Sequence, residues 1–172
     1  MLDHLSPAER AAVLALLLAE RPEMIADAER LATRYLEDVS PDAVADEVVW
    51  ALENLSLNDL AARAGRQPGR GYVHENEAAW ELLEEALQPF VDDVGRRARL
   101  GMAAAAGHVA LGILAGLFQC REAEDGSVLA YAGAPDATRD LAEWVAAEAR
   151  KDGLDLTPDA LDEACPDWLP LR

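Results

Sequence analysis

Three groups of side chains have types and spacings that could do chemistry. The first is His108, the one polar side chain in the nineteen residues of "LGMAAAAGHVALGILAGLF", Leu100–Phe118. A neutral imidazole can donate one hydrogen bond and accept another. It therefore reads either as a core histidine satisfied by a buried partner or as a ligand or proton site, and the core reading is preferred. The second group is Arg63, Arg66 and Arg70 among Gly65, Gly69 and Gly71, in a stretch from Leu60 to Val73 without an acidic residue. Guanidinium groups beside glycine-exposed backbone N–H groups could hold an anion; the alternative is docking on the chain's own acidic helices. The stretch lacks the GxxxxGK[ST] spacing of a phosphate loop, so nucleotide hydrolysis has no support.

The third group, His74, Glu77 and Glu81, has a spacing that could face a metal from one helix side. His74 falls before the expected helix start, and two carboxylates beside it read as a solvated acidic face. No metal and no cofactor is expected. Neither a Ser/His/Asp nor a Cys/His arrangement assembles from this sequence, so enzymatic activity is the weaker reading.

The elements that must position these residues are helices. Ser6-Pro7 and Ser40-Pro41 each supply an N-cap followed by proline at the first helical position. They predict helices to about Glu20 and from Pro41 on, with Ala11–Ala19 buried and Val44, Val48, Ala51, Leu52 and Leu55 forming one buried face. Pro22 begins another helix, with Ile25, Ala28, Ala32, Tyr35, Leu36 and Val39 near a 3.6-residue period. Ser56 caps a short helix over 57–64. "GRQPGRGYVHEN" reads as loop, and a helix from about Glu77 buries Ala79, Leu82, Leu83, Ala86, Leu87 and Phe90, with Pro89 kinking or restarting it. The segment 122–136 reads as loop with a candidate hairpin at Asp125-Gly126. Helices from Asp136 to Lys151 and from Thr157-Pro158 complete the chain.

On a helical wheel of Leu100–Phe118 the large side chains fill about 200° of the circumference. Gly101, Ala104, Ala105, Gly112, Ala115 and Gly116 fill most of the rest, with His108 in their midst and Gln119 near the same line. Alanine and glycine add little to membrane insertion and the histidine opposes it. A helix apolar all round in a water-soluble fold is a central helix with neighbours on both sides. Its small face admits another helix closely over Gly112, from the same chain or from a second copy.

At 172 residues the chain is expected to form one domain, 1–172, large enough to bury a core without disulfides or metal. Fifteen basic against thirty-three acidic residues give a net charge of −18, which repels phosphate backbones, so nucleic acid is not expected as partner. Cys120 and Cys165 have no disulfide or zinc spacing and suit a reducing cytoplasm. No targeting segment or membrane span is expected. Trp50 projects on the side of Asp46, Glu53 and Asn54, away from the apolar face, and is an interface candidate. Trp80 and Trp144 sit at the edges of apolar faces, and Trp168 is expected to pin the C-terminal tail.

One segment carries a resemblance. In "LNDLAARAGRQPGRGYVHENEAAWELLEEAL", Leu57–Leu87, the positions of Leu60, Ala61, Ala64, Gly65, Pro68, Gly69 and Tyr72 resemble the helix-turn-helix of TetR-type repressors. The resemblance implies a recognition helix near Pro68–His74 and a DNA-binding regulator. Gly69 and Gly71 depart from that pattern, as do the two helices preceding the motif.

The fold expected is therefore all-α, an antiparallel bundle of about seven or eight helices, with a short α-solenoid of HEAT-like helix pairs as the alternative. The function expected is a non-catalytic interaction or scaffold protein, partnered by another protein or by itself as a homodimer. The alternatives are a small-molecule binder or enzyme with a pocket near His108, and the TetR-like regulator. The candidate residues are His108, Gly112, Gln119 and Trp50 for a ligand or interface, and Arg63, Arg66 and Arg70 for an anion.

Overall fold

The computed structural model describes residues 1–166 and 168, and divides into two compact units, Met1–Asp38 and Val39–Arg172.

In the first unit Ser6 caps α1 (Pro7–Glu20). The Glu9 N–H donates to Ser6 Oγ at 3.3 Å and the Ser6 N–H donates to Glu9 Oε2 at 2.8 Å, satisfying two end groups reciprocally. A 3-10 turn over Pro22–Met24 leads to α2 (Ile25–Glu37). Neither helix buries a residue. This corrects the expectation of a buried helix at Ala11–Ala19: Leu14 and Leu16 are 51% and 64% exposed. An apolar stripe is covered only by a second layer of structure, and two helices joined by one tight turn do not supply it.

The second unit is an all-α helical bundle with one small hairpin. Its elements are α3 (Pro41–Glu53), α4 (Leu57–Arg63), β1 (Gly65–Gln67), β2 (Gly71–Val73), α5 (Glu75–Arg99), α6 (Ala103–Gln119), α7 (Val128–Ala132), α8 (Ala134–Lys151) and α9 (Pro158–Ala164). The apolar α6 is the axis, packed against α3, α5, α8 and α9. Contacts between elements so far apart in sequence make this a bundle rather than a solenoid, in which each repeat touches only its neighbours. Its core includes Ile113, Leu114 and Leu117 of α6, Leu83 and Leu87 of α5, and Leu141 and Val145 of α8.

Four local features differ from expectation, each for a visible reason. The apolar helix begins at Ala103 rather than Leu100, because Gly101 (φ +77°) ends α5. The Met102 N–H donates to Arg97 O at 3.0 Å and the Gly101 N–H to Ala98 O at 2.9 Å, a Schellman closure. Pro89 lies inside a continuous α5, so no new helix begins there. No hairpin forms at Asp125-Gly126. Instead Ser127 caps α7, accepting from the Ala130 N–H at 3.1 Å, which buries Val128 and Leu129.

The fourth feature is the segment read as loop, or as a repressor-like turn and recognition helix. It forms an antiparallel hairpin pairing Gly65 with Val73, Arg66 with Tyr72 and Gln67 with Gly71. Pro68 followed by Gly69 at φ +82°, with the Arg70 N–H donating to Gln67 O at 3.3 Å, makes a tight turn of the type that requires glycine third. That turn leaves no recognition helix, which corrects the helix-turn-helix expectation. Gln67 then reaches back: its Nε2 donates to Ala62 O and Arg63 O, both at 2.9 Å, capping the C-terminal carbonyls of α4.

Candidate functional site

The surface of α6 away from α5 and α8 carries a stripe at helical spacing: His108, Leu111, Ala115, Phe118 and Gln119. α9 and the first turn of α3 stand over this stripe and enclose a cleft of about 610 Å³. α9 is placed there by Thr157, which caps it by accepting from the Ala160 N–H at 3.3 Å, and by Cys165 at its end. The buried Cys165 thiol donates to Leu114 O of α6 at 3.3 Å, and burial pushes its pKa up to about 12. Phe118 is held on two sides. The Arg121 guanidinium lies 3.9 Å over its ring, and Trp168 meets it edge-on at 5.3 Å. Trp168 thus packs on the body, while the tail it is expected to pin, 169–172, lies outside the described residues.

The cleft walls have a defined chemistry. Leu111, Ala115 and Phe118 face Ala160 and Ala164, giving an apolar floor. Among the described residues four polar side chains rim it: Asp42 at the start of α3, His108 and Gln119 on α6, and Glu163 on α9. Among the described residues no lysine or arginine lines it. His108 and Gln119 are both exposed, so the expectation of a core histidine is corrected. The small face of α6 is split: Gly112 and Gly116 are buried against α3, while His108 belongs to the adjacent, open stripe.

Of the residues singled out from sequence, the structure brings His108 and Gln119 together in this cleft. Gly112 lies apart from it, under α3: a Cβ there would meet Pro41 O and Val44 Cβ, each at 2.6 Å. The neighbour over the small face is therefore a helix of the same chain. Trp50 is 68% exposed on α3, its carbonyl accepting from Asn54 Nδ2 at 2.7 Å.

The arginines meet the acidic face of α5. Arg63 Nη2 lies 2.6 Å from Glu85 Oε2, and Arg70 Nη1 donates to Glu81 Oε2 at 3.2 Å. These hydrogen bonds hold the carboxyls of Glu81 and Glu85 below the ordinary range and raise both guanidinium groups. Arg66 is exposed on β1 and makes no ion pair among the described residues. His74 precedes α5 as its N-cap residue, edge-on to Tyr72 at 5.1 Å, and Glu81 is engaged by Arg70. Among the described residues no three His, Cys, Asp or Glu side chains are placed to share a metal ion, and no helix is long and apolar enough to cross a membrane.

Asp42 and Glu163 were not singled out from the sequence. The stripe on α6 was legible as spacing, but their approach to it depends on how α3 and α9 dock. No family model matches the chain, and comparison with curated proteins and with solved structures gives no significant match to either.

Proposed function

We propose that this chain is a non-catalytic interaction protein whose N-terminal helices complete their packing on a protein partner. One observation carries the reading. The unit Met1–Asp38 buries no residue in either helix, while α1 exposes Val13, Leu14, Leu16 and Leu17. Below about 40 residues a unit rarely sustains a core of its own, and adjacent exposed apolar side chains of this kind mark interaction surfaces. The partner put to the test is a second copy of this chain, since two apolar α1 faces are self-complementary about a two-fold axis. The two free, buried thiols support a reducing compartment, such as the cytoplasm, as the place where the protein works.

Light scattering on the full chain across a concentration series tests this, read beside amide exchange of residues 7–37. The expected result is a mass rising toward twice 18.5 kDa, with protection of α1 rising in step and both lost in a Leu14→Asp/Leu17→Asp variant. A monomer at every concentration, with α1 exchanging freely, overturns self-association. A dimer whose formation ignores the double substitution overturns the choice of surface.

A further inference from the structure

We propose that the cleft between α6 and α9 binds a small organic cation, an amine attached to an apolar body. This is a ligand site in the second unit, independent of the N-terminal helices and of their partner. The first argument is shape and lining. At about 610 Å³ the cleft falls within the 300–1,000 Å³ typical of small-molecule sites, and it has their usual make-up of an apolar floor with a few polar groups at the rim.

The second argument is charge. Among the described residues Asp42 and Glu163 are the carboxylates of the lining, and neither forms an ion pair with a described residue. They stand on different elements, α3 and α9, so the apolar floor lies between two carboxylates. An ammonium group brought there gains charge-assisted hydrogen bonds, while a carboxylate or phosphate meets repulsion. Arg121, the cation nearest in sequence to Phe118, is turned to the Phe118 ring and donates to Phe118 O at 2.7 Å, outside the lining.

The third argument concerns the other polar side chains of the rim. The His108 and Gln119 side chains make no hydrogen bond to a described residue, although those of Gln88 on α5 and Gln67 on β1 are both engaged. On α6 the pair flanks the Ala115 stretch of floor. Between them they can donate to or accept from a hydroxyl or amide on the ligand body. The ligand class is therefore amines with an apolar ring or chain, and a mineral anion or a nucleotide does not fit it.

The test uses two probes with the same apolar body and opposite charge, phenethylamine and 3-phenylpropanoate, added to the full chain and followed by NMR. Phenethylamine is expected to shift the His108 ring and the Ala115 and Ala164 methyl signals saturably, with 3-phenylpropanoate at least about tenfold weaker. Glu163→Gln and Asp42→Asn should each weaken phenethylamine binding several-fold, and Ala115→Leu should block it by filling the floor. All three lie at exposed or half-buried positions, and an unchanged thermal midpoint verifies their folding. Equal binding of the two probes overturns the charge argument. Shifts spread over the acidic surface and indifferent to Glu163→Gln and Ala115→Leu overturn the site, since they report attraction to a chain of charge −18. No saturable shift overturns the proposal outright.

Discussion

Gly112 on α6 and Val44 on α3 approach so closely that a β-carbon added to Gly112 would lie 2.6 Å from Val44 Cβ. Gly116 repeats the relationship one turn on, 2.8 Å from Val48 Cβ and 2.9 Å from Ala45 O. Two glycines one turn apart on α6 thus let the α3 backbone approach it closely, and α3 delivers Asp42 to the cleft. Gly107, in the same helix, has nothing within 4 Å of its would-be Cβ. Gly112→Ala should therefore destabilise by about 1–3 kcal/mol through overpacking. Gly107→Ala should stabilise by up to about 1 kcal/mol through helix propensity. Thermal midpoints of the two variants check this, and shifts of the same sign would refute the α3–α6 approach.

The hairpin on α5 should loosen in acid. The carboxyls of Glu81 and Glu85 titrate below their ordinary range because Arg70 and Arg63 donate to them. A carboxylate with a lowered folded pKa contributes its stabilisation above the unfolded value and loses it as pH falls through the folded one. Amide protection over Gly65–Val73 should hold at neutral pH and decline below the ordinary carboxylate range. It should decline also with salt, since both pairs are open to solvent. A Glu81→Gln/Glu85→Gln variant should show the loosened hairpin already at pH 7 and no further response to acid. Protection independent of pH in the parent protein would mean that the backbone turn alone holds the hairpin.

The elements most legible in the sequence were those with local signals. Ser6-Pro7, Ser40-Pro41, Ser56 and Thr157-Pro158 mark starts that side-chain caps confirm. The alanine- and glycine-diluted run of α6 identified the central helix, because its composition excludes a span and its wheel requires neighbours on both sides. What escaped depended on non-local facts. Angle alone places His108 on the small face, but α3 covers only the Gly112 and Gly116 side of that arc. Ala11–Ala19 is as apolar as a core helix, yet burial requires a partner layer that the pattern of one helix does not encode. The hairpin was hidden by shortness: three-residue strands have no alternation to read, and only the Pro68-Gly69 turn signal was present.

The two thiols should be inert while the chain is folded. Burial pushes Cys165 up to about 12, and burial together with the Glu53 carboxylate pushes Cys120 up to about 11. The thiolate is the reactive form. Iodoacetamide at neutral pH should therefore modify neither in the native state and both in denaturant. A raised folded pKa also means that the unfolded chain releases these protons first. Stability is then full below the ordinary thiol value of roughly 8.5 and declines as pH rises toward the folded values. Cys165→Ala should flatten part of that alkaline decline. Rapid native-state modification of Cys165 would show that α9 detaches readily from α6.

His108 gives the sharpest test of where the α6 stripe points. A histidine buried in the core with a hydrogen-bond partner would cost about 1–3 kcal/mol when truncated. The His108 side chain is instead exposed and bonds to no described residue, and alanine is the better helix former by up to about 0.7 kcal/mol. His108→Ala should leave the thermal midpoint unchanged or slightly raised. Thr138→Val supplies the contrast. Its hydroxyl is fully buried in α8 and donates to Ala134 O at 2.7 Å, so its loss should cost about 0.5–1.5 kcal/mol. If His108→Ala falls as far as Thr138→Val, the imidazole is structural and the stripe is part of the core. If it does not, the conservation of stability frees His108→Ala for use in the amine titration, where any change reports on the cleft alone.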